Sequence, residues 1–258
     1  NMKIATWNVN SLKVRLPQVL DYMNTTDTDV LCLQETKMTD EVFPEQAFTD
    51  AGLHVSFVGQ KTYNGVAIVS RTAQTEVQKN LPNFEDEQKR VICATINDVR
   101  IVNAYIVNGQ SLDSDKFVYK LNWLAALIEF LAAELKKYPK LALLGDFNIA
   151  PADIDVHNPD KWLGCNLVSP QEREAFQKLL DLGLTDAFRL FEQPEKSFSW
   201  WDYRQMAFRR NAGLRIDHIL LSQPLAQSCV ECVIDKEPRR HEQPSDHTPV
   251  WATLDMAT

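Results

Sequence analysis

The chain has 258 residues, 45% hydrophobic and 24% charged, with only 8 Gly and 12 Pro. That is an ordinary globular composition, too poor in Gly and Pro for a linker-rich or low-complexity chain, and no apolar run approaches the ~20 residues a spanning helix requires. A net charge of −8 excludes capture of nucleic acid by bulk positive charge, though not by a local basic face.

Lys3 to Asn8 reads as a first strand that buries Ile4 and ends in polar residues. Leu16, Val19, Leu20 and Met23 then recur at i, i+3, i+4 and i+7, a helical stripe. Asp29 to Gln34 and Gly65 to Ser70 are short continuous apolar runs, the pattern of strands buried on both faces. Val91 to Ile96 and Val99 to Val107 flank Asn97-Asp98, a hairpin signal. Phe117, Leu121, Leu124, Ile128, Leu131 and Leu135 keep one helical face apolar until Pro139. Leu141 to Leu144 is a buried strand. Ser169-Pro170-Gln171-Glu172 has the form of a capping box with Pro at the first helical position, and Gly183 stops that helix. Later strands are expected at Phe198 to Trp201, Ile216 to Leu221, Cys229 to Ile234 and Pro249 to Leu254. Hairpins mixed with helices predict an α/β fold of two stacked sheets with helices outside. Without a linker or an internal repeat, residues 2–258 are expected to form one domain.

The N-terminus lacks a charged segment followed by an apolar stretch, so no signal peptide is expected. Five scattered cysteines, Cys32, Cys93, Cys165, Cys229 and Cys232, do not form a disulfide framework and point to a reducing cytoplasm. Cys229 and Cys232 form a C-x-x-C without a second pair at zinc spacing, and read as ordinary thiols.

The informative residues stand where apolar strands stop. Asn8 closes the first strand and Glu35 the second; Asp146 and Asn148 follow Leu143-Leu144-Gly145; Asp246 and His247 precede Thr248-Pro249-Val250. Strand ends on one rim of a sheet converge. Glu35, Asp146 and Asp246 gathered there would raise one another's pKa unless a cation compensates them. All-oxygen donors suit Mg²⁺ or Mn²⁺ and not zinc. Asp217, between Ile216 and Ile219, is a carboxylate in an apolar strand and needs a partner; His247 is the natural one. Each residue alone has a plainer reading as a turn, cap or structural side chain. Their joint occurrence is what argues for a site.

Six segments, in order and spanning residues 3 to 254, closely resemble the exonuclease III family of apurinic/apyrimidinic endonucleases. They are Thr6-Trp7-Asn8-Val9-Asn10, Leu33-Gln34-Glu35-Thr36-Lys37, Asn64-Gly65-Val66-Ala67, Gly145-Asp146-Phe147-Asn148-Ile149-Ala150-Pro151, Leu214-Arg215-Ile216-Asp217-His218-Ile219-Leu220 and Pro244-Ser245-Asp246-His247-Thr248-Pro249-Val250. The resemblance implies a four-layer α/β sandwich: two packed mixed sheets flanked by helices. It implies Glu35 as principal metal ligand with Asn8 and Asp246 close by, and Asp146 positioning or activating water. Asn148 would hold Asp146 and a phosphate oxygen, and His247, oriented by Asp217, would contact the scissile phosphate. Tyr105 would lie near the leaving oxygen, Trp200 against the abasic sugar, and Asn64 among the substrate contacts. The implied reaction is Mg²⁺-dependent cleavage 5′ to abasic sites in double-stranded DNA, Mn²⁺ substituting. The same centre would serve 3′→5′ exonuclease and 3′-end-cleaning activity, in a protein expected to be a monomer.

Binding DNA at net charge −8 calls for a basic rim. Lys89-Arg90, then Arg204, Arg209, Arg210 and Arg215, then Arg239-Arg240-His241 are the expected clusters, with Arg209 and Arg210 as phosphate contacts. Val107 stands where many relatives have Pro. The segment from Trp162 to Ser169 lies between the Asp146 motif and the capped helix, where a bulky side chain favours recessed 3′ ends over internal abasic sites; Leu167 is the candidate, against a plain packing role. Three classes stay open: a DNA repair nuclease, weighted either to abasic incision or to exonuclease work; another phosphoesterase on the same scaffold, such as a secreted deoxyribonuclease or a phosphatase of inositol phosphates or sphingolipids; and an inactive binding module. Secretion would call for a leader and paired cysteines. An inactive module would have lost a carboxylate or the histidine, and none is missing.

Overall fold

The computed structural model describes residues 1–256, so the last two residues of the expected 2–258 unit lie outside the described ones. In chain order the first half comprises β1 (Met2–Asn8), α1 (Leu12–Thr25), β2 (Val30–Gln34), α2 (Glu45–Asp50), β3 (His54–Val58), β4 (Val66–Ser70), β5 (Thr75–Lys79), β6 (Val91–Ile96), β7 (Val99–Tyr105) and α3 (Asp115–Lys137). The second half comprises β8 (Leu141–Asp146), α4 (Pro159–Trp162), α5 (Pro170–Asp181), β9 (Leu184–Asp186), β10 (Trp200–Trp201), β11 (Gly213–Leu214), β12 (Asp217–Ser222), α6 (Gln223–Ser228), β13 (Cys229–Ile234) and β14 (Val250–Leu254).

Two six-stranded mixed sheets face each other. Their strand orders are β13-β14-β1-β2-β4-β3 and β5-β6-β7-β8-β12-β9, and β10 and β11 pair apart. Strand alternation sorts the apolar residues into three layers. Ile4, Val30, Cys32, Ile68, Ile92, Ile101, Ala142, Leu144, Ile219 and Ala252 fill the seam between the sheets. Val102, Leu143 and Leu220 face outward onto Trp123, Leu127 and Leu131 of α3 and Phe176 and Leu179 of α5. Trp7, Leu31, Leu33 and Val69 face outward onto Leu12, Val19 and Met23 of α1 and Phe48 of α2. This is the four-layer sandwich.

The predicted punctuation works locally. Ser169 caps α5 with the reciprocal capping box to Glu172, and Gly183 takes φ +103 beyond its end. The predicted second strand of the hairpin stops at Tyr105, two residues early, and only Trp200–Trp201 of the Phe198 segment pairs as a strand. The edge strands β3 and β5 carry mostly exposed or half-buried residues and therefore no apolar signature. Among the described residues no helix is long and apolar enough to cross a membrane.

Candidate active site

The seam between the sheets changes from apolar to polar at one end. Inward-facing Thr6, Gln34 and Asn103 form the boundary. Gln34 Nε2 donates to Thr6 Oγ1 (2.9 Å) and Asn103 Oδ1 (2.9 Å). Asn103 Nδ2 donates to the carbonyls of Leu33 (3.0 Å) and Ala67 (2.9 Å). One inward position further stand Asn8 on β1 and Tyr105 on β7, joined by Asp146 at the end of β8 and Asp217 at the start of β12. Tyr105 and Asp217 are the register partners of Asp146 on its two neighbouring strands. Gly145 is obligatory here: a Cβ at that position would collide with the backbone of Ala104.

Asn8 Nδ2 bridges two carboxylates, at 2.8 Å from Glu35 Oε1 and 2.9 Å from Asp146 Oδ2. Glu35 turns out of β2 at φ +55; its carbonyl accepts from Ser11 N (2.8 Å), and Thr36 N donates to Gly65 (3.2 Å). Asp146 Oδ1 accepts from Asn148 N (3.0 Å), and Asn148 Nδ2 donates to the carbonyl of Ile106 (2.8 Å). His247 Nδ1 lies 2.8 and 3.1 Å from the two oxygens of Asp217, while Nε2 lies 3.5 Å from Asp146 Oδ2. The backbone N–H of His247 donates to Ser245 Oγ (3.2 Å), which itself donates to the carbonyl of Asn8 (2.6 Å). Two loops from opposite ends of the chain are thereby tied.

One donor atom each from Glu35, Asp146 and His247 falls within 4.8 Å of the others. Asp246 sits beside this group and not within it. Its carboxylate accepts from Trp200 Nε1 (3.1 Å) and Asn10 Nδ2 (3.3 Å). Asn10 in turn accepts from Lys37 Nζ (2.6 Å), which is 3.5 Å from Glu35.

Three carboxylates crowd one imidazole, and the titration behaviour follows. Burial, reinforced by the charges of Asp217 and Glu35, pushes Asp146 up to about 7, against the pull of His247 and Asn8. Burial opposes charge on His247, yet Asp217 and Asp146 outweigh it and raise the imidazole to about 10. It therefore stands as an imidazolium at neutral pH, and Asp146 carries the surplus repulsion. Burial, then Glu35 and Asp146, keep the Tyr105 phenol protonated. Arg90 lies over the Tyr105 ring at 4.8 Å and donates to the Tyr105 carbonyl (3.0 Å). A cation fits this donor set. Asp217 engages His247 Nδ1, and Glu35 and Asp146 offer carboxylate oxygens, with half-buried Glu35 open to solvent: the chemistry of a hard divalent ion.

The rim departs further from expectation. Leu167 is 5% exposed at φ +76, in a cluster with Ala150, Val156, Leu214 and Ile216 against which Trp162 and Trp200 pack. It is a wall behind Trp200. Asn64 lines a cleft of about 830 Å³ with Gln60, Arg90 and Asn108. Arg209 and Arg210 are exposed. Three expected rim cations are buried instead. Arg215 is held by Asp155 (2.7 Å) and Asp186 (2.7 Å). Arg239 donates to the Ser245 carbonyl (3.2 Å) and lies 4.7 Å from the Phe208 ring. Arg90 stacks on the Tyr105 ring. Each has a carboxylate, carbonyl or aromatic partner that outcompetes solvent, which charge counting along the chain does not reveal. Sequence reasoning also passed over Asn10, Gln34, Asn103 and Ser245. Gln34 and Asn103 did leave a signal, as amides at inward positions of apolar strands.

The model of the Endonuclease/Exonuclease/phosphatase family matches residues 5–247. Exodeoxyribonuclease III of Haemophilus influenzae is 38% identical, over 97% of this chain and 99% of that protein. The 3′ phosphatase NExo from Neisseria, solved as a variant with a product DNA hairpin, superposes with TM-score 0.98 at 50% identity, over 99% of this chain and all of that one. An AP endonuclease from Archaeoglobus fulgidus superposes with TM-score 0.96 at 39% identity, over the same shares of both chains.

Proposed function

Since the chain belongs to the Endonuclease/Exonuclease/phosphatase family, as a phosphodiesterase of the exonuclease III type, we propose that it hydrolyses the backbone of damaged double-stranded DNA 5′ to abasic sites. The observation that carries this reading is the meeting of Glu35, Asp146 and the Asp217–His247 pair within a few ångströms, from strands far apart in sequence.

Glu35, with Asn8 and Asp246 alongside, would hold Mg²⁺, or Mn²⁺ in its place. When bound, such an ion neutralises phosphate charge and stabilises the departing 3′ oxygen. The protein groups do the rest. Asp146, held by Asn8 and the Asn148 backbone, takes a proton from the attacking water. The imidazolium of His247, oriented by Asp217, and the Asn148 amide stabilise charge building on the phosphate. Tyr105, kept protonated, faces the leaving oxygen. Trp200 packs against the sugar, and Asn64, Arg209 and Arg210 contact the flanking strand. The products are a 3′-hydroxyl and a 5′-deoxyribose phosphate. The reading includes a monomer and a cytoplasmic location.

The 50% identity to a 3′ phosphatase, together with the bulky wall of Trp162, Leu167 and Trp200, favours a second reading: chiefly 3′→5′ exonuclease and 3′-end cleaning with weak abasic incision. One gel separates them. A duplex with a single abasic analogue and a matched duplex with a recessed 3′ end are incubated with Mg²⁺ and with chelator. Incision of the first supports abasic cleavage and digestion of the second alone supports the other reading. Cleavage that survives chelation refutes the metal.

A further inference from the structure

Beside the acid cluster a cavity of about 370 Å³ is lined by His157, Lys161, Trp162, Trp200, Arg204 and Arg210, among others. That volume is within the roughly 300–1,000 Å³ of ordinary small-ligand pockets. Its two indoles stand nearly at right angles, 79° between planes and 6.5 Å between centroids, so they form a corner, and both are half-buried. One wall is fixed to the catalytic loop by the bond from Trp200 Nε1 to Asp246 (3.1 Å), and Leu167, Leu214 and Ile216 back it. The one lining acid, Asp202, is neutralised by Arg204, whose Nε and Nη2 reach its two oxygens at 3.0 and 2.8 Å. Lys161 and Arg210 leave the cavity net positive. A flat aromatic corner with surplus positive charge suits a group that is both planar and phosphorylated.

Resting on the nuclease reading above, we propose that this cavity receives the base of an intact nucleotide 3′ to the scissile phosphate, which makes Trp162 a specificity residue for base-bearing 3′ ends. In the hydrolysis, water oxygen bonds to phosphorus, the P–O3′ bond breaks, and the proton released by water ends on O3′. What lies downstream of phosphorus differs among substrates. An abasic site puts a bare sugar there, a recessed 3′ end a whole nucleotide, and a 3′-phosphate nothing. In this reading Trp200 meets a sugar in the first two cases and none in the third. Trp162, which lines the cavity beyond Trp200, gains a stacking partner only when a base is present.

The test measures single-turnover rates with Mg²⁺ on two duplexes that differ only in ending with a 3′-nucleotide or a 3′-phosphate. Trp162→Ala lowers the ratio of nucleotide removal to phosphate removal about tenfold, the scale of one lost base–aromatic stack. Trp162→Phe, which keeps an aromatic face, restores the ratio to within about twofold on the same basis. A ratio unchanged in Trp162→Ala, or two rates falling in step, overturns the assignment. Absence of both activities in the unaltered protein refutes the nuclease reading itself and the subsite with it.

Discussion

The acid cluster and the aromatic corner beside it are built by different means. The cluster rests on strand geometry: Asn8, Tyr105, Asp146 and Asp217 are the last or first inward-facing residues of β1, β7, β8 and β12. Their neighbours are regular ladder partners. The corner rests on irregular chain, the short α4 and the segment around β10. There, position is set by side-chain clamps such as Arg215 between Asp155 and Asp186 and Glu172 beneath Leu167 (Leu167 N to Oε2, 2.9 Å). In the proposed reading a regular strand lattice supplies the chemistry, and separately anchored loops decide what is brought to it. Losses in the first should appear in turnover, and losses in the second in stability or substrate choice.

His247→Gln is the most severe break. It removes the imidazolium and leaves Asp217 and Asp146 buried without it. With transition-state stabilisation gone, kcat on a DNA duplex drops roughly 10³-fold while KM stays within a few-fold. A matching rise in KM would mean that His247 binds substrate and has no special role in the transition state.

Lys120→Met separates anchoring from chemistry. Lys120 is fully buried, paired with Glu172, and donates to the carbonyls of Asn148 (2.7 Å) and Asn108 (3.1 Å). Removing one partner of a buried pair costs about 3 kcal/mol, read as a lower denaturant midpoint. The double variant Lys120→Met with Glu172→Gln recovers part of it, because no buried charge is then left uncompensated.

How far the sequence could be read follows the same divide. Strands buried on both faces announce themselves as apolar runs, so β2, β4, β8 and β12 and the carboxylates at their ends were visible. The edge strand β5 was not: its residues are almost all exposed, and its register shifts between Thr75 and Gln78. The placement of Arg215 was misjudged because its partners lie 60 and 29 positions away, a pairing no local pattern encodes. Asp246 illustrates the limit within the site. The sequence reading gathers it with Glu35 and Asp146; in the fold it stands beside them, and its bonds to Asn10 and Trp200 depend on how three loops meet.

Acid sensitivity probes the anchoring network. His218 is buried against Arg215 and Ile149; burial, then the Arg215 charge, lowers its imidazole to about 4 from an ordinary value near 6.5. A folded-state value below the unfolded one contributes stability that is complete above pH 6.5 and is lost as pH falls toward 4. Asp146, raised to about 7, acts with the opposite sign over much of that range. The informative quantity is therefore the difference between the unaltered protein and His218→Gln. Between pH 7.5 and pH 4.5 that difference moves by roughly 2 to 3 kcal/mol against the unaltered protein. A constant difference would show that His218 titrates normally in the fold.

The smallest effect belongs to Arg209→Ala with Arg210→Ala. Both side chains are exposed, and Arg210 borders the aromatic corner while its Nε donates to Gln205 O (2.9 Å). Neither supports the core, so the melting temperature should not move. Cations that contact phosphates release counterions on binding, so each lost contact flattens the plot of log affinity against log salt by about 0.9. The pair should raise KM severalfold at low salt and very little at high salt, with kcat unchanged. A salt slope identical to that of the unaltered protein would remove both residues from the DNA path. With Arg90, Arg215 and Arg239 buried, the expected arginine and lysine clusters would then keep only Lys89 and two paired cations, Arg204 with Asp202 and Arg240 with Glu237.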